Sequence, residues 1–517
     1  DGGPFFFGDR SDSDVQQALL EEARGACDAA VSSRASWRLF GIVFLCCFSP
    51  ALFGFAMGFT SPVQISMEGQ PKGHEDPVYP PEHLSVLSSV EFTAYASAIN
   101  IGGVLGAFAG STAMDRIGRK SALALSAVPH VIAWLGTALV SEPAPLIFLR
   151  MVAGFGVGMG TAIAPCYIGE IAPAYLGGVL GVAIALAMNA GRLFVNAAGI
   201  FSLAVDEVDG HHFCNWRRLS LFGVAFAALL AATGLAPESP KWLAQKGRMD
   251  EARLALRALR SGDIAAEEVE LEALAKPSAA KASTQATSAP RLMEYKRSLV
   301  VAIGLMCFQQ LSGINAIMMY AMDIFERAGM RHVELCCIAV MASQVVLGAL
   351  PFLLLQAVGR RPLLQFAGIT MCLSHVGLAY DMMARDTTLW APSWLPVAFL
   401  GLYVVGFSTG MGPVPWIVLP ELFPVEMVGT ASAIATGVGW TFAFVVCVEF
   451  RALRATFGSI WVFVLFAVFC LACLIFVTVL VPETKGKRLE EVLADLREMR
   501  GMRGAMTSPH LGLPVDR

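Results

Sequence analysis

Asp115-Arg116-Ile117-Gly118-Arg119-Lys120 stands in a short gap between two long apolar runs, and a shortened copy, Gly359-Arg360-Arg361, stands in a similar gap further along. Two more pairs keep the same order. Glu170-Ile171-Ala172-Pro173 matches Glu421-Leu422-Phe423-Pro424, and Pro237-Glu238-Ser239-Pro240 matches Pro482-Glu483-Thr484-Lys485. The step from first copy to second is nearly constant across three unrelated motifs. The chain is therefore a duplicated unit.

Of its 517 residues 56 % are hydrophobic and 15 % charged, where soluble domains carry roughly 25 % charge. Apolar runs long enough to cross a hydrocarbon core of ~30 Å fall near 38–61, 86–112, 121–141, 146–168, 177–201 and 218–236. A second set falls near 298–325, 333–357, 363–384, 395–420, 427–453 and 459–481. The expected fold is an all-α membrane protein with twelve transmembrane helices in two six-helix halves. A duplicated membrane bundle is the architecture of a secondary transporter, with the substrate site between the halves.

Basic residues mark the cytoplasmic side. Arg116, Arg119, Lys120, Arg360, Arg361, Lys485, Lys487 and Arg488 all fall on one side, whereas 66–84 and 205–213, on the other, are acidic. Both termini are thus expected in the cytoplasm. The expected division is a tail at 1–35, a bundle at 36–236, a loop at 237–297, a second bundle at 298–481 and a tail at 482–517. Met249–Arg260 has helical spacing, so the central loop should carry cytoplasmic helices, followed by a low-complexity linker at Lys276–Arg291. The tails have the composition of disordered segments. Most of the twelve cysteines lie in apolar runs, where they act as small hydrophobes. Cys470-x-x-Cys473 is read as packing in a lipid-facing helix, not as a redox pair.

Gly154-x-Gly156-x-Gly158-x-Gly160 follows no strand, so it is a helix-packing stripe, not a dinucleotide fingerprint. Asp115, Arg116 and Arg119 are expected to pair with neighbouring helix ends and to latch one conformation. Gln309, Gln310, Ser312 and Asn315 bring four polar groups into an apolar run. Amides facing lipid are costly, so they should face a cavity or another helix, where amides can serve adjacent hydroxyls of a polyhydroxylated ligand. Gly410, Gly412, Pro413 and Pro415 should break the tenth span beside Trp416, whose ring could stack on a sugar. In the fifth span Asn189, Arg192 and Asn196 share one helix face. A guanidinium that deep should face the cavity or a partner, and Arg192 is a candidate selector of anionic substrates.

In order along the chain these motifs resemble the sugar porter branch of the major facilitator superfamily. The resemblance runs from about Ser36 to Val492 and includes Pro165-x-Tyr167-x-x-Glu170-x-x-Pro173, Gln309-Gln310-Leu311-Ser312-Gly313-Ile314-Asn315 and Gly412-Pro413-Val414-Pro415-Trp416. Facilitative hexose (glucose) transporters look most similar, and Phe53–Pro62 is similar to their intracellular-membrane class. The resemblance implies sugar contacts at Gln309, Gln310, Asn315, Gln344 and Trp416, with Tyr320 at an outer gate. It also implies a cytoplasmic charge network containing Glu170 and Glu421 as well as Arg360 and Arg361. The chain departs from the family pattern at Ala185, Gly177, Val428, Gln356 and Gly439, where amides or charged latch residues are usual.

The expected function is transport of a monosaccharide, a hexose such as glucose or fructose, by alternating-access facilitated diffusion. A proton-coupled sugar or polyol symporter is the alternative; symporters of this family commonly carry an Asp in the first span, where this chain has Ala56. A transport-dead sugar sensor is the third reading. No nucleophile–base pair, metal cluster or phosphate loop is evident, so no enzyme, catalytic residue, metal or cofactor is expected; His211 and His212 read as a solvated pair. The expected partners are a small sugar and the lipid bilayer, with no nucleic acid, for a monomer in the plasma membrane or an intracellular membrane.

Overall fold

The computed structural model describes residues 36–68, 83–173, 176–200, 205–208, 211–260, 295–319, 325–326, 330, 332–387, 390–392, 394–487 and 489–496. Tyr320, Arg488, the linker at 276–291 and most of both tails lie outside these residues, as do the side chains of His211, His212 and Gln356. Among the described residues, eleven helices are long and apolar enough to cross a membrane. Two shorter helices in series, Val333–Leu347 and Leu350–Ala357, occupy the eighth place. The chain is a twelve-helix membrane protein in two halves. Its one departure from an all-helical chain, among the described residues, is an antiparallel hairpin of Val205–Val208 with His211–Cys214 on the outer side.

Local chemistry sets the helix ends. The second span, Ser89–Ile117, begins at a capping box in which Ser88 accepts from the Glu91 amide and the Glu91 carboxylate accepts from the Ser88 amide. It ends at Gly118, and the third-span helix begins at Arg119. The cytoplasmic turn is thus one glycine with φ 92°, mirrored by Gly359 at φ 105° in the second half. The apolar pattern placed Asp115 and Arg116 in a loop, but both belong to the last turn of the second span. A single residue in a left-handed conformation reverses the chain, which only glycine does without strain.

Each half has its own apolar core. Within the first half the glycine stripe packs as expected. A Cβ at Gly102, Gly106, Gly154 or Gly158 would collide with the backbone of the opposing helix, so the second span and the fourth, Pro143–Ile171, meet backbone to backbone. Cys470 and Cys473 are free, and both are buried in the second core, not lipid-facing. Beneath the first half, Pro240–Gln245 and Met249–Leu259 share a small core around Trp242, Ala252 and Leu256. Trp242 Nε1 donates to Asp115 O at 3.3 Å, fastening these helices to the second span.

Candidate functional site

Two cytoplasmic clusters repeat one another. In the first half the Arg119 guanidinium holds Glu170, with Nε at 3.0 Å and Nη2 at 3.1 Å. The Arg119 and Lys120 amides donate to Glu238 Oε1 at 2.8 and 3.1 Å. Ser239 Oγ donates to Glu170 at 2.5 Å. In the second half Arg360 Nη2 meets Glu421 at 2.7 Å, and the Arg360 and Arg361 amides donate to Glu483, both at 3.0 Å. Thr484 Oγ1 donates to Glu421 at 2.5 Å. A Cβ on Gly118 or Gly359 would strike the carboxylate of Glu238 or Glu483. Burial pushes the Glu483 carboxyl up, but the amides of Lys485, Arg360, Arg361 and Thr484 outweigh it and hold the group below the ordinary range.

All of these pairs join elements of one half. Arg119 meets Glu170 and Arg360 meets Glu421, each within a half and not between halves. Arg361 is tied by its guanidinium to Thr478 O at 2.5 Å. Asp115 is 68 % exposed and 3.6 Å from Arg119, a surface pair of little worth. Arg116 is exposed and makes no ion pair among the described residues, because helix growth through Ile117 turns it outward. Val428, one of the departures from the family pattern noted in the sequence, packs against the second core. Glu238, Glu483, Ser239 and Thr484 were singled out only as motif letters. Their repetition beside the two arginine turns was the available signal.

Midway through the membrane the seventh span breaks. Lys296–Leu311 ends at Ser312-Gly313, where Gly313 has φ 84°, and Ile314–Met319 resumes. The tenth span also breaks, with a π-helical turn at Phe407–Met411 between Leu395–Gly406 and Val414–Glu421. Pro415 has no amide hydrogen, so it cannot make the i→i−4 bond to Met411 O. Gln309 Nε2 donates there instead at 2.8 Å, and to Gly412 O at 3.0 Å. Gln310 Nε2 donates to Gln309 Oε1 at 3.2 Å, and Asn315 Nδ2 to Gln310 Oε1 at 2.7 Å. The amides form one chain that ends on the tenth-span break. Trp416 lies just beyond it and is 46 % exposed.

Sequence reading missed the groups that satisfy the seventh-span break. The Tyr403 hydroxyl donates to Ser312 O at 3.1 Å, and His375 Nε2 lies 3.0 Å from the same carbonyl. A histidine and a tyrosine inside apolar runs were the visible hint. Across the halves, Arg192 Nη1 donates to Gln344 Oε1 at 3.2 Å and Asn189 Nδ2 to Gln344 O at 3.1 Å. Nearer the outer side Glu68, its side chain 1 % exposed, forms an ion pair with Arg451 of the eleventh span, Val425–Phe457. Arg451 Nη1 also donates to Ser89 O at 3.2 Å. Beside this pair, Ile314–Met319 packs on Phe48–Gly58 and Thr60–Glu68 of the first span. Glu68 had counted only as an outer-side charge, because its partner lies 383 positions away.

Two helical bundles with buried polar groups at their junction define a membrane carrier. Among known proteins, the family described as "Sugar (and other) transporter" matches residues 42–496. Sugar transporter ERD6-like 6 of Arabidopsis thaliana is 32 % identical, over 92 % of this chain and 93 % of its own length. Facilitated trehalose transporter Tret1 of Polypedilum vanderplanki is 33 % identical, over 88 % of this chain and 86 % of its own. An inward-open structure of the xylose transporter XylE from E. coli superposes with a TM-score of 0.71 at 23 % identity, covering 88 % of this chain and 99 % of that one. The chain belongs to the sugar transporter family and is an integral multi-pass membrane protein rather than an enzyme.

Proposed function

We propose that this protein carries a monosaccharide of hexose size by facilitated diffusion, alternating access between the two faces without proton coupling. The observation that carries the absence of coupling is the environment of Arg150. This buried arginine donates from Nη2 to Ala56 O at 2.5 Å and lies over the rings of Tyr95 and Phe59, 5.1 and 5.9 Å from their centroids. No carboxylate among the described residues lies within ion-pair distance of it. Coupling needs an intramembrane group whose protonation changes with conformation, and a carbonyl facing a guanidinium offers none.

In this reading Gln310, Asn315, Gln344 and Trp416 meet the sugar, while Gln309 keeps the tenth-span break in register behind them. The cytoplasmic clusters make each half rigid, so the halves rock as units. Glu68 with Arg451 closes the outer side and parts when it opens. The carrier works as a monomer.

The test is uptake of radiolabelled D-glucose, D-fructose and trehalose by purified protein in liposomes, with and without an inward proton gradient. The expected result is saturable entry of a hexose that stops at equilibrium. Accumulation above equilibrium that collapses with an uncoupler overturns facilitated diffusion. Uptake of the disaccharide alone overturns the assignment of substrate size.

A further inference from the structure

Arg192 is the buried cation that the proposed mechanism leaves unused. The fifth span runs Gly177–Ile200, which places Arg192 about 22 Å along the helix from Gly177 at 1.5 Å per residue. That depth lies inside a core of ~30 Å. The residue is 5 % exposed. Its aliphatic stem lies against Gly58, where a Cβ would come within 2.9 Å of Arg192 Cγ. Asn196 Nδ2 donates to Arg192 O at 2.9 Å. The guanidinium is thus led away from the first-span backbone and toward the other half, where Nη1 ends on Gln344 Oε1.

Its partners do not neutralise it. Gln344 is neutral, Nε has no hydrogen-bond acceptor, and no carboxylate among the described residues lies within ion-pair distance. Cations at the helix ends and inside the first half differ. Arg119, Arg360, Arg385 and Arg451 each meet a carboxylate, and Arg150 is enclosed by rings within the first half. Among the described residues, Arg192 alone reaches between the halves with its charge uncompensated, and it ends on a residue of the candidate sugar set. An unpaired ion in a low-dielectric site is unfavourable by several kcal/mol. A ligand that supplies the counter-charge recovers that penalty. A guanidinium presents a planar fork that suits a carboxylate.

We infer that the transported monosaccharide carries a carboxylate, as a hexuronic acid does, and that Arg192 is the residue that selects it. The carboxylate takes the guanidinium in exchange for Gln344 Oε1, and the freed Gln344 amide turns to a ring hydroxyl. Gln310 and Asn315 take the remaining hydroxyls. This inference rests on the reading of the chain as a monosaccharide carrier with Gln344 in its site. Because the substrate is an anion, its uncoupled passage moves charge, whereas passage of glucose does not.

D-Glucuronate and D-glucose differ only at C6 and so isolate the carboxylate. Both are measured by counterflow in proteoliposomes holding wild type, Arg192→Gln or Arg192→Lys, and transport currents are recorded on a solid-supported membrane. In the wild type glucuronate is expected to be the better substrate and to produce a potential-dependent current. Arg192→Gln should lower the glucuronate-to-glucose ratio of kcat/KM by about 100-fold, the scale for removing one partner of a buried charge pair, and Arg192→Lys should lower it less. If wild-type protein moves glucose but neither moves glucuronate nor is inhibited by it, the inference is wrong and the carrier reading stands. If neither sugar moves, the carrier reading itself fails. An equal loss of both substrates in Arg192→Gln and Arg192→Lys, with a lowered melting temperature, would make Arg192 a tie between the halves, not a selector. The wild-type comparison decides the matter even if both variants fail to fold.

Discussion

Gln309 and Gln310 are adjacent amides with different work. Both donors of Gln309 are spent on the carbonyls of Met411 and Gly412. Gln310 and Asn315 are half-buried and stand further from that break. Substitution should separate them. Gln310→Ala is expected to weaken sugar affinity by about 1–3 kcal/mol, the scale for leaving a hydrogen-bonding partner unmet, with little change in melting temperature. Gln309→Leu leaves the Met411 carbonyl without its donor, so its loss, of similar size, should appear first as lowered thermal stability. Binding and thermal melts measured on the same preparations check both. An equal fall in stability for both variants, with affinity unchanged, would make the whole amide chain a packing device.

The cytoplasmic turn is an element used twice. A positive-φ glycine reverses the chain, the next helix starts at once, and a glutamate from the end of the sixth or twelfth span caps its first two amides. Those amides sit at the positive end of the helix dipole, so a carboxylate is the favoured cap. Glu238→Gln should therefore lower the melting free energy by about 1–2 kcal/mol through loss of charge-assisted bonds. In the second half the folded Glu483 carboxyl lies below its ordinary value of 4.5. Its stabilisation is then complete above about that value and fades as pH falls through the depressed one. Glu483→Gln should destabilise at neutral pH, and the gap to wild type should close in acid. A gap that widens on acidification would contradict the assignment. Gly118→Ala should be worse than either, since it meets both a strained φ and the Glu238 carboxylate.

At the scale of the whole molecule, the charged cytoplasmic clusters close within each half, whereas Glu68 with Arg451 crosses between halves on the outer side. Removing that pair should favour the outward-open form. Glu68→Gln is expected to shift the equilibrium by about 1–2 kcal/mol, roughly 5- to 30-fold in population. Amide hydrogen exchange over 60–68 and 447–457 should rise accordingly. The charge swap Glu68→Arg with Arg451→Glu should restore protection. Unchanged exchange in the single variant would mean that packing of Ile314–Met319 alone holds the outer side shut.

The amino-acid sequence by itself determined the membrane class, the duplication, the helix count and the place of the tenth-span break, because these depend on local quantities. Apolar length, the missing amide of proline and the left-handed range of glycine all act within a few positions. It also named both members of the Arg119–Glu170 and Arg360–Glu421 pairs, since each recurs in the same order in both halves. Only the tertiary structure decided the rest. That Glu238 and Glu483 cap helices, that His375 and Tyr403 close the Ser312 break, and that Gln344 meets Arg192 depend on helices far apart in the chain. The same holds for Glu68 and Arg451, whose charges looked like ordinary markers of the outer side. A charge carries no record in one dimension of the partner that will neutralise it, and helix packing in three dimensions chooses that partner.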